Sequence, residues 1–297
     1  MTAPAPETTA VVERPETRPQ PAPASPETAT LVPPSRRGRF RDTATSVLFA
    51  LLGVGCLVAL WSLVAWRSPD LPTPIDAWRE FVDLLSSPLH DSGPNDKGIA
   101  IQLWISIGRV FRGFGLAALV GVPLGLLMGG SRRAWQAANP VVQLLRPVSP
   151  LAWFPIGLVV LKDSPKAAVF VIFITALWPI VINTAAGAAS IPTDQRNVAR
   201  VFRFGRVAYV RHVMIPHTLP SLITGLRLSM GVAWMVIVAA EMLSGGSGIG
   251  FFVWDSYNGG NLSAVIAAIV FIGLVGVALD IAFVRLGRRI STEETTR

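Results

Sequence analysis

Six predominantly apolar stretches, read at 46–66, 112–130, 141–161, 167–190, 219–243 and 262–284, constrain this chain more than any other feature. A helix rising about 1.5 Å per residue crosses the ~30 Å hydrocarbon core of a bilayer in ~20 residues, and in hydrocarbon only a helix or a closed barrel satisfies every backbone amide. The pattern predicts an all-α polytopic membrane protein with six transmembrane helices. Composition agrees, because 51% of the residues are hydrophobic and only 15% are charged, whereas a water-facing surface brings the charged share to about 25%. A soluble cytosolic or secreted enzyme is thereby excluded.

Three regions follow from the same pattern. Residues 1–45 hold nine prolines among Ala, Thr, Glu and Ser, with almost nothing apolar to form a core, and are expected to be a disordered, basic cytoplasmic tail. Residues 46–290 form the transmembrane domain, and 291–297 a short C-terminal tail. The cluster Arg36-Arg37-Gly38-Arg39-Phe40-Arg41 stands directly before the first apolar run, which is too long for a signal-peptide core and is expected to be an anchor entered from the cytoplasm. Six spans entered that way place 17 of the 26 Lys and Arg residues on the cytoplasmic side, with both termini. Topology therefore explains the net charge of +8, and nucleic-acid binding is not expected.

Several residue types carry no chemistry of their own. Cys56 lies alone in the first span and reads as packing, and His90, His212 and His217 lack metal-ligand spacing, so no metal site is expected. The third span contains Pro147, Pro150 and Pro155, which predict an irregular or kinked start. Gly121, Gly125 and Gly129 recur every fourth residue and predict a helix face that a second backbone approaches closely. The glycines of 245–250 are wrongly spaced for a dinucleotide-binding loop, and they predict a tight outer turn or a re-entrant segment.

The most informative stretch is the cytoplasmic loop from Ile191 to Pro220. At 100° per residue, Arg196, Arg200 and Arg203 share one helix face, while Val198, Val201, Phe202 and Gly205 occupy the other. Thr193 or Asp194 offers a capping oxygen, Gly205 permits a turn, and Pro216 and Pro220 bracket the return to the membrane. Taken alone, such an amphipathic helix could equally lie on anionic lipid.

Ionisable residues inside spans mark cavities or partners, because lipid disfavours them. Arg227 lies deep enough to face a conduit and attract a small anion, or to pair within the bundle. Glu241, near the outer end of its span, suits a structural pair or gate contact, and Asp280 stands one turn before Arg285 as an interfacial pair. Arg109 and Arg112, at the outer end of the second span, are expected to snorkel to headgroups, the alternative being that they attract an arriving anion.

The loop resembles the cytoplasmic loop of ABC importer permeases, whose pattern is Glu-Ala-Ala, three residues, Gly, nine residues, Ile, any residue, Leu-Pro. Here Asn197-Val198-Ala199 stands at its start, Arg203 replaces the glycine, and Val213-Met214-Ile215-Pro216 closes it; Ala199 and Pro216 match strictly. Over about residues 46–290 the chain is similar to the nitrate, sulfonate and taurine branch of these permeases. The nitrate-type members are closest in Leu145-Arg-Pro-Val-Ser-Pro-Leu-Ala-Trp-Phe-Pro-Ile-Gly157, Ile174-Thr-Ala-Leu-Trp-Pro-Ile-Val-Ile-Asn-Thr184 and Thr224-Gly-Leu-Arg-Leu-Ser-Met-Gly-Val-Ala-Trp234, together with Glu241 and Gly248-Ile-Gly-Phe-Phe-Val-Trp-Asp255.

This resemblance implies a multi-pass permease of the bacterial inner membrane that imports a small anion, expected to be nitrate, by alternating access. Its partners would be a second permease copy, two cytoplasmic ATP-binding subunits carrying ATP and Mg, and an external substrate-binding protein, with lipid around the spans. The residues Asn197, Val198, Ala199, Arg200, Val201, Phe202, Arg203, Gly205 and Pro216 would form the ATPase-coupling loop, and Arg227 and Glu241 are candidates for the translocation path or gate. The chain contains no Gly-Lys dipeptide and so no Walker A loop, which leaves ATP hydrolysis to a partner. Sulfonates or taurine are alternative substrates within the class. A proton-coupled secondary transporter would need titrating carboxylates near mid-span, and a membrane enzyme a clustered His, Asp and Ser set.

Overall fold

The computed structural model describes residues 36–68, 70–93 and 96–295, with side chains described outside 36–44, 46 and 289–295. Residues 1–35 of the expected tail, and Thr296 and Arg297, lie outside the described residues. The described residues divide into two units between Cys56 and Leu57, and α1 covers Arg36–Arg67. In the first unit α1 exposes Val47, Leu48, Phe49, Leu51, Leu52 and Val54. Cys56 is exposed as well, so it is not the packing residue the sequence suggests.

The second unit is built from α2 (Pro74–Ser86), α3 (Ile99–Gly130), α4 (Arg132–Leu145), α5 (Phe154–Leu161), α6 (Ser164–Ala189), α7 (Thr193–Val201), α8 (Arg206–Tyr209), α9 (Ile215–Ser244), α10 (Ile249–Asn258) and α11 (Leu262–Thr295). Among the described residues there is no strand, only one isolated bridge between Asp91 and Lys97. Among the described residues five helices are long and apolar enough to cross a membrane, and α4 with the 3₁₀ turn and α5 makes a sixth only as a pair bent by 98°.

Local chemistry explains the breaks. Pro147 and Pro150 lack the amides that would continue α4, so a 3₁₀ turn over Pro150–Trp153 redirects the chain into α5. Lys162, at φ 51°, then ends α5, and Asp163 caps α6 by accepting the Lys166 amide at 2.8 Å. That bond, first among its causes, holds the Asp163 carboxyl below its ordinary pKa. A π turn over Val210–Met214 stands directly ahead of Pro216, whose ring and missing amide oppose a regular turn. Helical structure therefore runs from Arg206 to Ser244, with Pro216 in the first turn of α9 and Pro220 inside it, instead of a chain that enters the membrane between the two prolines.

The buried centre is α6, packed between α3 and α9. Helices in lipid gain little from burying apolar surface against one another, so close contact between small residues carries much of their association. A Cβ on Gly125 would sit 2.6 Å from the Thr184 Cβ, and one on Gly121 3.0 Å from the Ile180 Cγ2; at Gly129 it would collide with the Ala185 carbonyl. The expected glycine face is thus the seat of α6, and Gly113 extends it, since a Cβ there would meet Ile172 at 2.6 Å. On the other side Gly225 of α9 admits Asn183 in the same way.

The second span and the loop before it differ from expectation. The second span begins at Ile99 instead of 112, because Gln102, Ser106 and Arg109 are buried in protein contacts that apolar patterning cannot register. The segment between α1 and α3 holds α2, opened by a reciprocal Thr73–Asp76 capping box with Pro74 at the first helical position. It seats Phe81 on Phe271 of α11 with ring centroids 4.4 Å apart.

Candidate functional site

The loop around α7, the opposite end of the bundle and the exposed face of α9 and α11 hold the candidate residues. In the loop α7 is a nine-residue helix whose N-cap position is Pro192, so neither Thr193 nor Asp194 supplies the expected side-chain cap. Its end is more specific. Arg203 donates its amide to the Arg200 carbonyl at 3.0 Å, and Phe204 donates to Ala199 at 2.9 Å, with Arg203 itself left-handed at φ 49°. This is a Schellman termination. Arg203 occupies the left-handed position where the permease pattern has glycine, and Gly205, at φ −65°, starts α8 in ordinary backbone.

The expected arginine face is divided accordingly. Arg196 turns back to donate to the Ala189 carbonyl at the end of α6 at 3.1 Å, a favourable site for a cation. Arg200 reaches Asn197 at 3.4 Å, and Arg203 has left the helix. Ala199 is buried, whereas Val198, Val201 and Phe202 are 54%, 78% and 70% exposed, leaving an apolar surface on a helix pinned to α6. Between α7 and the approach to α9 lies a groove of about 710 Å³, lined in part by Val198, Phe204, His212 and Pro216.

At the end of the bundle opposite α7, Arg109 of α3 donates to the Glu241 Oε1 of α9 at 2.7 Å, with both side chains buried. Ser106 Oγ donates to the same carboxylate at 2.7 Å and accepts the Ile249 amide at 2.8 Å. Gly250 donates to Oε2 at 3.0 Å, Gly248 donates to Gln102 Oε1 at 2.6 Å, and Arg109 also donates to the Ser247 carbonyl at 2.7 Å. Three side chains thus take the free amides at the N-terminus of α10. The turn that permits this uses left-handed backbone at Gly245, Gly246 and Gly248, at φ 71°, 86° and 108°. The Gly-rich stretch is therefore a tight turn entering a short helix, and Arg109 does not snorkel. It is held inside, while Arg112 one turn on is exposed.

On α9, Arg227 forms a two-pronged pair with Asp280 of α11, Nε to Oδ1 at 2.7 Å and Nη2 to Oδ2 at 2.9 Å. Asp280 is therefore not the partner of Arg285. The side chains are 47% and 51% exposed in a groove of about 920 Å³ between the two helices.

The structure brings the loop residues together around α7, places Glu241 in the buried clamp at the opposite end of the bundle, and puts Arg227 on a separate face. Reasoning from the sequence missed Gln102, Ser106 and Ser247, since small polar residues give no signal without their partners. It missed the pairing of Arg109 with Glu241 because 132 residues separate them.

A family model described as binding-protein-dependent transport system inner membrane component matches residues 121–292. The chain is 43% identical over 235 residues to the nitrate import permease protein NrtB of Synechocystis sp., which covers 79% of this chain and 86% of that protein. It is 41% identical over 251 residues to the bicarbonate transport system permease protein CmpB of Synechococcus elongatus, 83% and 90% of the two chains. The fold is similar to that of an inward-facing MetNI methionine ABC transporter, with a TM-score of 0.60 and 17% identity over 65% of this chain and 95% of that one. With a pinned apolar helix between two spans, a buried clamp at the opposite end, and matches covering most of its length, the chain belongs to the binding-protein-dependent transport system inner membrane components.

Proposed function

We propose that this chain is the permease subunit of an ATP-driven importer that passes a small anion, nitrate in the first place, into the cytoplasm by alternating access. It works as two copies in the bacterial inner membrane with both termini cytoplasmic, beside two ATP-binding subunits that hold ATP and Mg and an external binding protein that delivers the anion.

The observation that carries this is α7, which presents Val198, Val201 and Phe202 outward while its own ends are fixed. Arg196 ties it to the end of α6, and α8 with the π turn leads without a break into α9. A push on the exposed face enters the two central helices as a lever movement and does not dissipate in a loose loop. At the far end of α9, Glu241 is locked to α3 and α10, so a shift of α9 must carry or release the outer turn at Gly245–Gly250. Closure of paired ATPases on ATP then biases the permease between outward-open and inward-open states.

The nitrate permease relative supports nitrate, and the bicarbonate relative supports bicarbonate as the second reading. Both anions are small, planar and singly charged, and selection between them falls mainly to the binding protein. The test is reconstitution of this chain with its ATP-binding and binding-protein partners into proteoliposomes. ATP-dependent uptake of labelled nitrate, exceeding that of labelled bicarbonate, is expected; bicarbonate uptake alone would replace the substrate, and uptake that persists without the ATP-binding subunit would overturn the class.

A further inference from the structure

We infer that Arg227, with the recess beside it, is a transit site for a planar oxoanion, and that Asp280 is a built-in competitor that occupies the Arg227 fork whenever the anion is absent. The inference rests on the import reading above and adds to it a named site and a release device.

The geometry of the pair comes first. Asp280 meets Arg227 through two parallel bonds, Nε–Oδ1 at 2.7 Å and Nη2–Oδ2 at 2.9 Å, the arrangement in which a planar guanidinium reads two oxygens of a planar anion. A carboxylate presents the same pair of coplanar oxygens as nitrate or bicarbonate, so a group that holds Asp280 in this way is shaped for either. Placement comes second. Arg227 lies about 18 Å along α9 from Ile215 at 1.5 Å per residue, well inside the span. Yet the two side chains are about half exposed, and an ionised pair at that depth belongs beside a water-filled cavity, not beside hydrocarbon.

Room for a ligand comes third. A recess of about 100 Å³ opens at the pair between α9 and α11, reaching Trp234 and Gly276. At about 30 Å³ per water it holds about three waters' worth, enough for a three-oxygen anion. Gly231, one turn beyond Arg227, leaves its side open, since a Cβ there would meet nothing within 4 Å. Trp234 is fixed by donation of its indole N–H to the Ile272 carbonyl at 3.0 Å, so that wall is rigid.

Asp280 gives the site its exit. Conduction requires a site that attracts an ion without trapping it. An anion entering the fork must displace a carboxylate of like charge that stays tethered to the facing turn of α11, and the returning carboxylate expels the anion again. An arginine without that competitor would hold the anion longer.

The test uses the complete complex in proteoliposomes, with nitrate as the probe and ATP hydrolysis stimulated by the loaded binding protein as the assembly control. In Asp280→Asn, nitrate on the cytoplasmic side is expected to halve uptake at a concentration at least tenfold lower than in the wild type. In the double variant Arg227→Met with Asp280→Leu, which leaves no unpaired charge, uptake is expected to fall at least tenfold while stimulated hydrolysis persists. Uptake above one tenth of wild type in the double variant, or unchanged cytoplasmic inhibition in Asp280→Asn, would overturn the site; should the double variant fail to assemble, the Asp280→Asn arm decides. Wild-type complex that hydrolyses ATP but imports neither nitrate nor bicarbonate would instead overturn the import reading, and the site with it.

Discussion

Arg109 and Glu241, 132 residues apart in sequence, meet at 2.7 Å in the buried end of the bundle opposite α7, and the same carboxylate takes the amide of Gly250. One ion pair thereby fixes three helices, because α3 carries the arginine, α9 the glutamate and α10 the amide. Removing one member of such a pair leaves the other charge buried and uncompensated. Glu241→Gln is expected to destabilise the protein by about 3–5 kcal/mol, read as a lower thermal midpoint in detergent than wild type. A midpoint unchanged within a degree would show that the clamp is not holding the outer turn.

The left-handed Arg203 makes the opposite kind of prediction. A residue with a Cβ is disfavoured at φ 49°, by about 1 kcal/mol relative to glycine. Arg203→Gly is expected to slow hydrogen exchange at the Phe204 amide, which closes the Schellman turn on Ala199. Arg203→Val, branched at Cβ, is expected to accelerate it.

Phe202 is exposed at the C-terminal end of α7, so a charge placed there has little folded structure to disrupt. Phe202→Asp is expected to leave membrane insertion and thermal stability within about 0.5 kcal/mol of wild type but to abolish co-purification of the ATP-binding subunit and ATP-dependent uptake. Retention of both would remove α7 from the coupling role.

In the loop between α2 and α3 His90 sits 2.8 Å from Asp96 Oδ1 and 3.0 Å from the Ser87 carbonyl. The side-chain bond to Asp96, then the bond to the Ser87 carbonyl, raise the imidazole above its ordinary 6.5. A raised value in the folded state means that the protonated ring stabilises the loop. That contribution is complete below 6.5 and disappears as the pH rises through the raised value. After correction for intrinsic exchange rates, the amide of Gly98, which bonds the His90 carbonyl, is expected to lose hydrogen-exchange protection over that window. His90→Gln should remove the pH dependence.

Apolar patterning located the membrane helices wherever lipid or packing demands apolar residues around the whole helix, as at α6, whose observed limits, Ser164–Ala189, fall within three residues of those expected. It failed where a span carries polar residues that protein satisfies, as in the first turns of α3. The α2 helix was legible in principle, since Thr73-Pro74-Ile75-Asp76 spells a capping box with proline at the first helical position. The charge pairs were not. Arg109 and Glu241, like Arg227 and Asp280, lie on helices far apart in the chain, and no local period relates them.

The sequence by itself determined the all-helical class, the glycine face that seats α6, the amphipathic loop and its likeness to importer permeases, because each depends on residues within a few turns of one another. Only the tertiary structure decided that Arg109 is buried, that Arg203 takes the glycine-type turn, and that Asp280 holds Arg227. These depend on which helices become neighbours, and a charge has no fixed meaning until the fold determines whether water, lipid or an opposite charge stands beside it.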